Sequence, residues 1–265
     1  MAIANNDTVA ARFRPAPTKS LQSIDQKEYT NQGLLTAILI ILLWISSITA
    51  LFALNLSQLQ FFWIPIAILF QTFLYTGLFI TAHDSMHGAV FPHNLKLNQA
   101  IGIISVLFYA LFSYKKLLQK HWLHHHYPAS TLDPDFHDGQ HTSFLAWYFQ
   151  FMQEHFSWIQ LGYIALIFSA LKFGLHLSEM NLLLFWVIPS LLSSLQLFYF
   201  GTFLPHREPI DGYTHPHRAQ TSRFSTFWSF ITCYHFGYHQ EHHQYPSVPW
   251  WQLPKVYSRD RVQMV

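Results

Sequence analysis

The sequence predicts an all-α integral membrane protein, with two transmembrane hairpins (four spanning helices), a re-entrant or interfacial segment and a cytoplasmic histidine-rich cap. Three observations carry this expectation. Only 11% of the 265 residues are charged against 51% apolar, well below the roughly 25% charged content of soluble domains. The apolar residues run in long unbroken stretches rather than in the periodic pattern of an amphipathic fold. Eighteen histidines, more than the fifteen Lys and Arg together, gather at the ends of those stretches.

In chain order, residues 1–30 are polar, with Arg12, Arg14, Pro15, Pro17 and Lys19. They lack the apolar core and small-residue cleavage site of a signal peptide, and read as a flexible cytosolic tail; residues 31–265 read as one membrane-embedded domain. Residues 34–54 give 21 positions without a charge, enough for a helix rising about 1.5 Å per residue to cross about 30 Å of hydrocarbon. Residues 61–82 are the second span, with Pro65 early enough to be tolerated near a helix end. Residues 97–114 are also apolar, but number only 18 and include Gly102 and β-branched residues that weaken a helix. If they spanned, the histidines on either side of them would face opposite leaflets, so a shared site requires a re-entrant or interfacial path. Residues 144–156 hold Trp147, Tyr148, Phe149 and Phe151, an aromatic density suited to the headgroup level. The second hairpin follows: 156–177, interrupted by Gly162, Lys172 and Gly174, then 181–204 with Pro189. With both hairpins opening on the side of the N-terminus, Lys172 is the one Lys or Arg of fifteen placed elsewhere. The positive-inside rule then puts both termini and the histidines on the cytoplasmic side.

A formal charge of +2 and the lack of a basic run interleaved with aromatics give no nucleic-acid signal. The single Cys233 excludes an internal disulfide and any cysteine-rich metal site, so a bound metal must rely on histidine.

The histidine clusters are His83-Asp84-Ser85-Met86-His87, His121-Trp122-Leu123-His124-His125-His126 and His235-Phe236-Gly237-Tyr238-His239-Gln240-Glu241-His242-His243. Rings three and four residues apart share a helix face, and neutral imidazole is a good ligand for iron, zinc or copper. The candidate ligands are His83 and His87; His121, His124 and His125, with His121, His125 and His126 as the other register; His206, directly after the last span; and His239, His242 and His243. Their number suits two metal ions. His235, one turn before His239, is a further ligand or an outer hydrogen-bond donor. Asp84, Asp133, Asp135 and Glu241 lie where they can accept the second N–H of ligating rings, the competing reading being solvation or salt bridges to Lys116, Lys120 or Arg207. His93, His137, His141, His155, His176, His215 and His217 lack the spacing and read as exposed or interfacial. Neither HExxH nor HxxEH occurs, so the acid that activates zinc-bound water in metalloproteases is missing. Redox iron acting with O2 on an apolar substrate fits the nitrogen-rich set better.

Three histidine boxes split by transmembrane hairpins resemble the membrane di-iron desaturase and hydroxylase superfamily. The finer resemblance is to the bacterial β-carotene 4-ketolases, and it covers most of the chain from residue 34. It rests on Ala82 through Gly88, on Lys120 through His125 followed by Asp133-Pro134-Asp135-Phe136, on Phe203-Leu204-Pro205-His206-Arg207, and on Cys233 through His239 continuing to Val248-Pro249-Trp250-Trp251-Gln252-Leu253-Pro254. The resemblance favours the HxxHH register, because members vary at the position of His126. They often carry a glycine between the positions of His235 and His239 that this chain lacks. It implies a di-iron oxygenase of carotenoid biosynthesis that oxidises the allylic ring carbon C4 of β-carotene to echinenone and canthaxanthin. An alcohol forms first, and a second round gives a geminal diol that dehydrates to the ketone. It also implies two Fe ions, O2 as co-substrate and a ferredoxin-like electron donor docking on the basic cytoplasmic face. A carotenoid hydroxylase or fatty-acyl desaturase could share the iron site, since substrate positioning decides which C–H bond is presented. The non-enzyme alternative is a membrane haem electron carrier, which would place its axial histidines within facing spans.

Overall fold

In the computed structural model, which describes residues 26–263, the regular elements are all helical. Most of the expected tail lies outside the described residues. α1 (Gln26–Phe52) and α2 (Trp63–Met86) form the first hairpin, linked through a short turn at Leu56–Gln58 whose Ser57 N–H is capped by Asn55 at 3.1 Å.

α3 (Leu95–Ala110), capped by Asn94, runs back along α2. Near its start Asn98 donates to the Ser85 carbonyl at 2.7 Å; near its end Tyr109 lies against Tyr75 and donates to Ser193 at 3.3 Å. There Leu111 adopts φ 56° and the chain bends by 100° into α4 (Tyr114–His126). The Tyr114 hydroxyl returns to Ser85 Oγ, 2.9 Å away. Both ends of the excursion therefore meet Ser85, and the 97–114 segment folds back on itself. Gly102 permits this, since a Cβ there would lie 1.9 Å from Ser85 Oγ and 2.4 Å from the Tyr114 ring. The residue that weakens the helix on propensity is the point where α2, α3 and α4 approach most closely.

α5 (Phe144–His155) meets α6 (Trp158–Ser169, extended by a π turn at Ala170–Gly174) at 85°. α7 runs from Glu179 to His206 and carries π turns at Leu183–Val187 and Tyr199–Phe203. α8 (Thr226–Cys233), α9 (His239–Gln244) and α10 (Leu253–Gln263) complete the chain.

α1, α2 and α7 pack side by side. Thr76 of α2 bonds Ser193 at 2.9 Å and Gln196 at 2.7 Å, and Ser47 of α1 donates to Gln71 at 2.7 Å. Such pairs satisfy polar side chains buried among apolar helices, where water cannot. At one end the Asn181 amide lies within hydrogen-bonding distance of the carbonyls of Leu51, Phe52 and Leu54, where α1 ends and the chain turns. At the opposite end α2 and α7 terminate on histidines.

By length and composition three helices can cross a bilayer: Asn31–Phe52, Trp63–Met86 and Glu179–His206, or up to five spans if each bent pair counts as one. Leu35, Leu39, Leu69 and Leu191 are exposed on them, as lipid-facing surface requires. The expected span at 156–177 is occupied by the helix Trp158–Gly174, which is too short to cross by itself and qualifies only together with α5 across the 85° bend that precedes it. The reason is tertiary: the Gln160 amide donates to Ala110 O at the inner end of α3, so α6 starts at that depth.

Candidate metal centre

Nine histidine side chains converge at the end where α2 and α7 terminate, in two adjoining groups. His83, His87, His121, His125 and His242 form one, and His124, His206, His239 and His243 the other; in each group, one ring nitrogen per residue lies within 4.8 Å of all the others. Helix geometry explains the division. In both HxxHH helices the first and last rings, four residues apart, face one group, and the ring between them at three residues faces the other. α4 therefore gives His121 and His125 to the first group and His124 to the second, whereas α9 gives His242 to the first and His239 and His243 to the second. The groups touch where His125 stacks on His243, with centroids 4.3 Å apart.

The Nε2 atoms face one another at hydrogen-bonding distance. The separations are 3.1 Å for His83–His242, 2.6 Å for His87–His121, 3.0 Å for His125–His242, 3.0 Å for His124–His243 and 3.1 Å for His239–His243. Three of these rings have an acceptor behind them. Nδ1 of His83 meets Asp84 Oδ1 at 3.3 Å, that of His124 meets both Asp133 oxygens at 3.0 Å, and that of His206 meets the Arg218 carbonyl at 2.9 Å. Those acceptors hold the ring proton on Nδ1 and leave an Nε2 lone pair facing inward. Opposed lone pairs repel unless a proton or a cation stands between them. Protons are disfavoured at most of these rings: burial first, and neighbouring imidazoles second, hold His239, His242 and His243 well below the ordinary imidazole range, whereas His124, against the pull of burial, is raised by Asp133 to about 9. His206 Nε2 is buried without a hydrogen-bond partner. Five nitrogens in one group and four in the other, with carboxylates behind and the lone thiol of Cys233 buried elsewhere, fit a pair of imidazole-bound metal ions.

The pH dependence of the metal-free protein follows. Against the single His124, raised to about 9 and acting in the opposite sense, the unfolded chain takes up protons at His239, His242 and His243 near pH 6.5, whereas the folded state resists them. Their contribution to stability is therefore full above about pH 6.5 and falls progressively as the pH drops toward the depressed folded values. Metal-stripped protein in detergent is expected to melt at a lower temperature at about pH 5 than at about pH 7.5; equal midpoints would contradict the burial of neutral rings.

The other predicted positions separate clearly. His126 turns its Nδ1 to the Trp122 carbonyl at 2.6 Å, so the register that converges is HxxHH. His235 joins neither group: it stacks with Tyr238 and Trp250, and burial pushes it down to about 4. Asp84 stands behind His83 and Asp133 behind His124, and Asp135 reaches His124 Nδ1 at 3.8 Å. Glu241 faces the Thr221 hydroxyl, from which it accepts, rather than an imidazole. His155, set aside for lack of spacing, is half-buried with Nε2 3.1 Å from Asp135 Oδ1. Its only sequence signal is a polar ring closing an aromatic helix.

A cavity open at one side leads to the histidines. Tyr109, Phe112, Leu117, Phe151 and Leu197 wall it, and His83, His121, His124 and His239 line it, so it meets both groups. Phe236 also lines it and packs on His83 at 4.8 Å and His239 at 5.1 Å, in space left by Gly201, where a Cβ would lie 2.3 Å from its ring.

A family model for fatty acid desaturases matches residues 153–265, the part of the chain that holds His206 and the α9 histidines. A β-carotene ketolase of Paracoccus sp. (strain N81106 / MBIC 01143) is 42% identical over 190 residues, covering 71% of this chain and 76% of that protein. The chain belongs to the β-carotene ketolase family. Other members of that family are similarly related. A β-carotene 4-ketolase 3 of Haematococcus lacustris is 44% identical over 69% of this chain and 58% of its own length. A zeaxanthin 4-ketolase of Chlamydomonas reinhardtii is 39% identical over 84% of this chain, which spans about half (52%) of that protein. With the desaturase match, this places the β-carotene ketolase family chain in the desaturase and hydroxylase superfamily.

Proposed function

We propose that this protein is a carotenoid ketolase that oxidises ring carbon C4 of β-carotene to the ketone with O2 and external electrons. The observation that carries this reading is the aromatic and aliphatic cavity ending on imidazoles of both groups. A β-carotene ring has no polar handle, so only shape and apolar contact can position it, and the cavity offers both beside the histidines. Two iron ions held by His83, His87, His121, His125 and His242 and by His124, His206, His239 and His243 would supply the O2 activation and C–H oxidation. The chain's own work is positional. Asp84 and Asp133 keep Nδ1 protonated so that Nε2 can ligate, and the apolar wall excludes water and holds C4 against the site.

The membrane reading is supported by the apolar spans. In the four-span arrangement, α1, α2 and α7 cross whole and the α5–α6 pair crosses with a bend. Lys172, paired with Glu179 at 2.6 Å, lies by the start of α7, whereas Lys120 and Arg207 lie by the histidines. That asymmetry supports a cytoplasmic histidine face on which a ferredoxin-like donor docks.

Expression in bacteria that accumulate β-carotene is the test. Chromatography of the pigments is expected to show echinenone and canthaxanthin. Unchanged carotene with altered acyl chains would point to a desaturase, and hydroxylated carotene without ketone to a hydroxylase.

A further inference from the structure

We propose that Asp135 and His155 form a hydroxyl-holding pair, which binds the C4 alcohol made in the first round and orients it for the second. The proposal rests on the ketolase reading above.

Both side chains line the otherwise largely apolar cavity beside the histidines. Two other hydroxyls on the wall are already engaged, Ser194 by Tyr148 at 2.7 Å and by the Leu191 carbonyl at 2.8 Å, and Tyr109 by Ser193, which leaves Thr202 as the one neutral hydroxyl of the lining beside the charged pair. Asp135 Oδ1 differs. It lies 3.1 Å from His155 Nε2 but out of line for a full hydrogen bond, and is buried without another partner. The carboxylate is held there by its backbone, because Asp135 N donates to Asp133 Oδ1 at 2.9 Å and Asp135 O accepts from Trp147 Nε1 at 2.9 Å. The His155 ring is held as well, its Nδ1 donating to the Phe151 carbonyl at 2.9 Å, which turns Nε2 to the carboxylate.

Orienting His124 does not require Asp135, since Asp133 meets that Nδ1 with both oxygens. A buried carboxylate with an unused acceptor is costly in an apolar wall, and the unreacted ring has nothing to offer it. The alcohol does. Its O–H donates to Asp135 Oδ1 while its oxygen accepts from Nε2–H of the His155 imidazolium, whose other proton stays on the Phe151 carbonyl, so one hydroxyl bridges the ion pair. Asp135 lies 3.8 Å from His124, which keeps the hydroxylated carbon beside the site that must oxidise it again. No bond is made or broken in this step; the pair slows escape of the alcohol through the cavity mouth.

The experiment compares wild type, Asp135→Ala, His155→Phe and the conservative Asp135→Asn in β-carotene-accumulating bacteria, measuring ketone and 4-hydroxy product in the same extract. Wild type titrated down to each variant's membrane content is the reference, so poor folding cannot mimic the effect. The ketone-to-alcohol ratio is expected to fall about tenfold in Asp135→Ala and His155→Phe, the worth of one hydrogen bond to a charged group, with Asp135→Asn in between. A ratio equal to the matched wild type, or loss of alcohol and ketone in proportion, overturns the pair. Absence of any C4 product from wild type would instead overturn the ketolase reading.

Discussion

Replacing His243 with alanine is expected to abolish ketone formation and to strip iron from one position of the pair, while replacing the adjacent His242 empties the other. Neighbours in sequence report on different ions because a one-residue step on α9 turns the side chain by about 100°, carrying His242 to the first group and His243 to the second. Loss of an outer partner already lowers metal affinity by about 10–100-fold, and loss of a ligating nitrogen exceeds that. The two losses are unequal, because His243 leaves its group with three nitrogens and His242 leaves its group with four. Iron per chain should therefore be lower in His243→Ala than in His242→Ala, with His126→Ala at the wild-type value because its ring faces Trp122 O. Elemental analysis of the purified variants reads this out. Identical iron contents in all three would refute the assignment of α9 to both groups.

The spans were legible because a bilayer demands long charge-free stretches; residues 181–204 fall inside a helix that meets that demand, and 34–54 and 61–82 match two more to within two residues at one end. The histidine boxes were legible for a different reason: three- and four-residue spacing acts within one helix turn, needing no knowledge of the partner helix. The return of 97–114 was legible only through a constraint, that His87 and His121 must meet, while the residue that permits it, Gly102, reads in sequence as a defect. The break before α6 was hidden because it depends on Gln160 reaching Ala110, a contact fifty residues back along the chain. Glu241, expected among the orienting acids, accepts from Thr221 instead because, two residues after His239, it projects from the far side of α9. His155 was invisible because its meaning lies in Asp135, twenty residues away, and in a cavity wall that no local pattern describes.

Asp133→Ala is expected to disable the protein nearly as completely as loss of a ligand, although Asp133 stands behind the centre. Its two oxygens accept four contacts: His124 Nδ1 on both, Ala129 N on Oδ2 at 2.9 Å and Asp135 N on Oδ1 at 2.9 Å. Alanine leaves those donors buried and unmatched at about 1–3 kcal/mol each, and releases the proton that keeps His124 Nε2 free for metal, a change worth about 10–100-fold in affinity. Asparagine separates the two effects. Every neighbour of Asp133 is a donor, and an amide supplies one acceptor oxygen where the carboxylate supplies two, so its NH2 must face either backbone N–H. Asp133→Asn is expected to fold with a lowered melting temperature, above that of Asp133→Ala, yet to retain less than about a tenth of the wild-type activity. Calorimetry in detergent together with iron content checks both halves. Full iron and full activity in Asp133→Asn would show that the tautomer of His124 is held by something other than this carboxylate.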